Sequence, residues 1–145
     1  MKNLQIFCLT LNPKHLSTII KLGYMPVGLG DQKFSNDWLQ DKTENNIAYK
    51  NKNYGEYTFH YWLWKNDKIN FQDWIGFCQY RKFWVNSPKH SEAKNIEDLN
   101  RIILKEVPKD YEEKESIIGE PFFINQFRFS KFIKHNLKTM LINPS

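Results

Sequence analysis

The residues best suited to chemistry follow a short apolar run. In WIGFCQYRK, Tyr80, Arg81 and Lys82 come directly after Trp74 to Gln79. If that run is a strand of a parallel sheet, its carboxyl end opens on the crevice where α/β proteins bind ligands. A guanidinium there can grip a diphosphate through two parallel hydrogen bonds, and a tyrosine ring can stack on a base or sugar. The same residues read equally well as a strand end fraying into solvent. A second group lies in NYGEYTFHYWLWKN, residues 53–66. Glu56 and His60 are one helical turn apart, the spacing of a hydrogen-bonded acid and imidazole. The plainer reading makes Glu56 a helix cap and His60 a boundary histidine.

Other devices are absent from the sequence. It has no glycine-rich loop ending in Gly-Lys-Ser/Thr, no Gly-x-Gly-x-x-Gly, no His-Glu-x-x-His and no Gly-x-Ser-x-Gly. Asp73 precedes the Trp74 run, so no Asp-x-Asp pair follows a strand, and no metal site is expected. Cys8 and Cys78 sit in apolar runs without Cys or His partners and read as buried free thiols.

The elements that must position these groups follow from periodicity. LQIFCLTL, residues 4–11, is continuously apolar and predicts a strand buried on both faces. NPKHLSTIIKLG predicts a turn and a short helix stopped by Gly23, and YMPVGLGDQ a second extended segment. Residues 33–53 read as a long polar loop. Asn53 and Glu56 have capping-box spacing, which predicts one helix from about Tyr54 to Lys65. Trp74 to Cys78 predicts a strand, 86–93 a loop, and NIEDLNRIILKEVP an amphipathic helix stopped by Pro108. An extended piece and a helix bearing Phe129, Phe132, Ile133 and Leu137 end the chain. Strand alternating with helix gives an α/β fold, read as one structural unit over 1–145.

Composition bounds the class. In 145 residues, 41% are hydrophobic and 16% aromatic, too apolar for a disordered tail, and no run is long enough to span a bilayer. The amino-terminal run lacks the features of a secretory signal, so a soluble, cytoplasmic protein is expected. A net charge of +5 favours an anionic partner: nucleic acid, a phosphate-bearing small molecule or a membrane surface. The lysines are dispersed along the chain, which argues against nucleic acid.

Read together, MPVGLGD, DKTENNIAYKN, NYGEYTFHYWLWKN and DWIGFCQYRKFW resemble, in order and spacing, a bacterial glycosyltransferase family of capsular and exopolysaccharide biosynthesis first catalogued as a domain of unknown function. The match falls on Asp41, Thr43, Asn46, Ile47, Lys50 and Asn51, on Glu56, Thr58, Tyr61, Trp62, Trp64, Lys65 and Asn66, and on Gly76, Tyr80 and Arg81. The resemblance implies a GT-A-like nucleotide-sugar-binding sheet with flanking helices, present here as the amino-terminal part of a longer domain. It implies transfer of a sugar, such as a hexose or galactofuranose, from a nucleotide-diphosphate-sugar donor. The acceptor would be a polysaccharide or lipid-linked saccharide at the cytoplasmic face of the inner membrane. Donor binding would fall to Asp41, Asn46, Lys50, Asn51, Tyr80 and Arg81, and the catalytic carboxylate would be Glu56. Such transferases can use a divalent Mn or Mg ion, for which this segment carries no motif.

Three departures stand out. The family's Thr-Gly-Asp-Asn is Thr43, Glu44, Asn45 and Asn46 here, the His of its His-Tyr-Arg motif is Gln79, and the first strand ends without the family's usual His. The alternatives are a non-catalytic sugar- or nucleotide-sugar-binding relative and, less favoured, an RNA-binding domain. In the resemblance, Tyr61, Trp62 and Trp64 pack the helix on the sheet.

Overall fold

The computed structural model describes residues 3–70, 72–86 and 93–119. The chain divides into two compact units, Met1–Glu115 and Ser116–Ser145. The sheet, its helices and the cleft belong to the first unit. The carboxyl-terminal extended piece and helix, and most of the 86–93 loop, lie outside the described residues.

Four parallel strands make one sheet: β1 (Leu4–Thr10), β2 (Met25–Gly28), β3 (Leu39–Gln40) and β4 (Trp74–Gln79), in the order β3-β2-β1-β4. The chain lays down β2 and β3 on one side of β1 and then returns to add β4 on the other. Strand order therefore reverses between β1 and β4, the place where open α/β sheets form a crevice at their carboxyl ends. The fold is α/β, as the alternation of patterns requires.

β1 is buried on both faces because both carry helices. Ile6 and Cys8 turn toward one face, where Ile19 of α1 (Leu16–Lys21), Leu22 just after it and Ile103 pack, with α4 (Ile96–Ile102) lying against the same cluster through Ile96 and Leu99. Phe7 and Leu9 turn to the other face, against Phe59, Trp62 and Leu63 of α3 (Tyr57–Lys65). Phe7 meets Phe59 edge-on at 5.4 Å and stacks on Phe77 at 5.7 Å. Each such buried side chain contributes on the order of 2 kcal/mol. Gly76 lets β4 pack closely on β1, since a Cβ there would lie 3.0 Å from Ile6 Cγ1 and press on that side chain. Cys8 and Cys78 are buried free thiols, paired in register across β1 and β4. A hydrogen bond with Cys8, reinforced by burial, pushes the Cys78 thiol up.

The single helix expected from Tyr54 is two. α2 (Asn51–Tyr54) ends at Gly55, whose φ of 56° breaks the path before α3 begins. The capping box does not form: Asn53 lies within α2, and Glu56, the residue before α3, makes no capping hydrogen bond. Asn51 and Thr58 secure the join instead. Asn51 Nδ2 donates to the Gly55 carbonyl at 2.8 Å and to Thr58 Oγ1 at 3.0 Å, and Thr58 Oγ1 donates to the same carbonyl at 3.0 Å.

The aromatic run also divides differently. Trp62 packs on the sheet and its indole N–H donates to the Thr43 carbonyl at 2.9 Å. Trp64, two residues and about 200° further around the helix, is 63% exposed. The stretch 33–53 is not featureless: it holds β3, a 3-10 turn at Ala48–Lys50 and α2. α4 stops at Ile102, six residues before Pro108, because Ile103 turns extended, buries its side chain and pairs with Val85.

Candidate functional site

A cleft of about 790 Å³ opens at the carboxyl ends of β1 and β4. Its floor is the strand ends themselves, held together by Tyr80 N–H to the Leu9 carbonyl at 2.9 Å and Leu29 N–H to the Thr10 carbonyl at 3.0 Å. One wall is the junction of α2 and α3, with Asn51, Lys52, Gly55 and Glu56. The opposite wall is the turn after β1, with Asn12 and His15.

Arg81 reaches the cleft through a strained backbone. The turn after β4 is closed by Lys82 N–H to the Gln79 carbonyl at 2.8 Å, and its third residue, Arg81, has φ of 76°. That is the sign of φ which type II turns reserve for glycine, and it costs a side-chain-bearing residue about 1–2 kcal/mol. The fold therefore holds a guanidinium where glycine would be easier. Trp84 steadies the outer edge of β4, its indole N–H donating to the Phe77 carbonyl at 2.9 Å.

Tyr80 lies flat on His15, ring centroids 3.5 Å apart and planes within 9°. His15 belongs to the 3-10 turn Pro13–His15, which Asn12 caps by accepting from Lys14 N–H. That bond fixes the Asn12 amide, whose Nδ2 faces His15 Nε2 at 3.4 Å. On the other side of the ring, His15 Nδ1 and Thr10 Oγ1 share a hydrogen bond of 2.8 Å, its direction following the ring's tautomer. Burial, and secondarily the Arg81 guanidinium, push His15 below its ordinary value of 6.5. His15 thus lines the cleft as an imidazole whose protonation burial disfavours.

Glu56, free of the capping box, accepts from Gln79 Nε2 at 2.7 Å. The bond ties the start of α3 to the end of β4 and orients the carboxylate at the cleft. His60 makes no bond to Glu56: its Nε2 is buried without a partner among the described residues, and burial pushes its pKa down.

Of the residues singled out in the sequence, Glu56, Asn51, Tyr80 and Arg81 meet at the cleft. Asn51 uses its amide on Gly55 and Thr58, and its Oδ1 lies toward Gly30. Asn46 is not in the lining and serves its own loop, bonding the Thr43 and Glu44 carbonyls and Ala48 N–H. Lys50 is exposed and stands over Tyr49 and Tyr54. Asp41 follows β3 and is 1% exposed, with both carboxylate oxygens unpartnered among the described residues. It too lies outside the cleft lining. His15 and Thr10 were missed by the sequence reading. The only sequence signal for them was position, since Thr10 ends the first strand and His15 falls within the turn that follows.

Among the described residues, no group of three His, Cys, Asp or Glu side chains could hold a metal ion. No helix among them is long and apolar enough to cross a membrane.

A comparison with curated proteins and one with solved structures each return no match. A protein family described as a domain of unknown function (DUF4422) matches residues 8–140, and the chain belongs to that family.

Proposed function

We propose that the cleft binds a nucleotide-diphosphate sugar and that the protein transfers the sugar to a saccharide or lipid-linked acceptor, on a sheet of the GT-A kind. The observation that carries this reading is the convergence of Arg81, Tyr80, Glu56 and Asn51 where strand order reverses, at the carboxyl ends of β1 and β4. The ordered motifs described above supply the substrate class.

Arg81 suits the diphosphate, because its fork can bind two phosphate oxygens and stabilise the charge that builds on the leaving group. The Tyr80–His15 stack offers a flat edge to a sugar or base. Glu56, held by Gln79, is the carboxylate placed to take a proton. In the transfer, the acceptor hydroxyl gives its proton to Glu56 as its oxygen bonds the sugar's anomeric carbon. The bond from that carbon to the diphosphate breaks, and the nucleotide diphosphate leaves against Arg81. Each step uses this chain's own side chains.

A binding module that holds the donor without transfer is the second reading. It is favoured by Gln79 standing where the family has His, which removes a proton-carrying group from beside Glu56. Assaying release of nucleotide diphosphate with and without saccharide acceptors separates the two. Acceptor-dependent release supports transfer, whereas donor binding without release supports the module.

A further inference from the structure

We infer that the outward face of α3 is a docking surface for an anionic lipid membrane. α3 carries rings on both sides. Phe59 and Trp62 face the sheet, while Tyr57 and Trp64, with the half-buried Tyr61 between them, fall at spacings of four and three residues on the opposite side. Tyr57 is 65% exposed and Trp64 63%. Core packing gives no account of an indole and a phenol held mostly in water.

The stripe is accompanied by ammonium groups. Lys65 Nζ stands 5.2 Å from the Trp64 ring centroid. In the 3-10 turn and α2, which pack against α3, Lys50 Nζ stands 5.5 Å from Tyr49 and 6.0 Å from Tyr54, themselves 79% and 52% exposed. Rings with polar tips set among lysines are the composition of a membrane–water boundary, where the ring sits at headgroup level and the ammonium meets lipid phosphate.

Charge is distributed to match. Residues 42–68, the stretch that contains α3, hold five lysines against three carboxylates, and one of those carboxylates, Glu44, is paired with Lys68. Residues 97–115, beginning in α4 on the other face of the sheet, hold seven carboxylates against four basic groups. An anionic surface would attract the α3 side and repel the other, orienting the molecule. A neutral glycan stacks on bare ring faces, whereas here ammonium groups lie over Tyr49, Tyr54 and Trp64, so the partner chosen is anionic.

The inference deepens the transferase reading, whose lipid-linked acceptor would lie at a membrane, but it rests on side chains outside the cleft lining. Its test is co-sedimentation of the 145-residue chain with phosphatidylcholine vesicles, with and without phosphatidylglycerol, alongside a single-stranded RNA. Binding to the anionic vesicles alone, weakened by salt, is the expected result. Trp64→Ser combined with Lys65→Glu should lower that binding about tenfold or more. Because both side chains are exposed, cooperative unfolding should persist, as should any stabilisation by nucleotide diphosphates measured without vesicles. Equal binding to neutral vesicles, no vesicle binding, binding untouched by the double substitution, or tighter binding to RNA would each overturn the inference.

Discussion

Glu56 Oε2 accepts a 2.7 Å hydrogen bond from Gln79 Nε2, joining the start of α3 to the end of β4 across the mouth of the cleft. The bond exists because Glu56 caps nothing. In an ordinary capping box this carboxylate would turn back on its own helix, but Gly55 breaks the chain there and leaves the side chain free to face the cleft.

Glu56→Ala should therefore separate activity from stability. No capping bond is lost and Gln79 is exposed to water, so the stability cost should stay below about 1 kcal/mol. If Glu56 takes the proton, turnover should fall by about 10²-fold or more. Urea unfolding and a transfer assay on the same preparation check both halves.

Arg81 allows the reverse separation. Glycine at this φ escapes the steric penalty, so Arg81→Gly should be more stable than Arg81→Ala by about 1 kcal/mol. Neither variant should respond to nucleotide diphosphates. Paired thermal melts of the two variants, with and without ligand, would show this.

Glu44 shows the same conformation in another place. Its φ of 52° keeps a turn for which the related motif uses glycine. Glu44→Gly should relieve about 1 kcal/mol of strain and lose the 2.8 Å bridge to Lys68, whose two side chains are 39% and 49% exposed. A bridge so exposed is worth only about 0.5 kcal/mol or less. Net stabilisation of a few tenths of a kcal/mol is expected from chemical denaturation.

His15 sets a pH dependence. Its pKa is depressed in the folded protein, so below about pH 6.5 the unfolded chain binds more protons, and stability should fall with pH until the folded imidazole also titrates. His60, depressed mainly by burial, acts in the same direction. An NMR titration should place the His15 midpoint below 6.5. Arg81→Gln should raise it only partway, because burial is the larger cause.

Much of the fold was legible in local pattern. LQIFCLT and WIGFCQ are mostly apolar because both faces of the sheet carry packed side chains there, and that pattern needs no tertiary knowledge. β3 was not legible: two residues, Leu39 and Gln40, carry no periodicity and owe their pairing to β2. The split at Gly55 was missed because helical spacing of the rings continues across it. The apolar pattern in NIEDLNRIILKEVP likewise continues past Ile103, whose bridge to Val85 is set by a partner distant in sequence. At the site, Tyr80 and Arg81 could be placed because a strand end is a fixed location. His15 could not, because its stack on Tyr80 depends on how β1 and β4 lie side by side. The inward and outward rings of α3 look alike as residue types, and only the sheet beneath Trp62 distinguishes it from Trp64.

The most direct measurement is thermal unfolding of the 145-residue chain with a panel of nucleotide diphosphates and their sugars, with and without manganese or magnesium, beside Arg81→Ala. A donor at a hundred times its dissociation constant stabilises by about 2.7 kcal/mol, which should raise the midpoint by about 5–10 °C. The account predicts a shift selective for one nucleotide diphosphate and abolished in Arg81→Ala. Cooperative unfolding with no shift from any of them, or a shift that survives in Arg81→Ala, would contradict a donor site at the ends of β1 and β4.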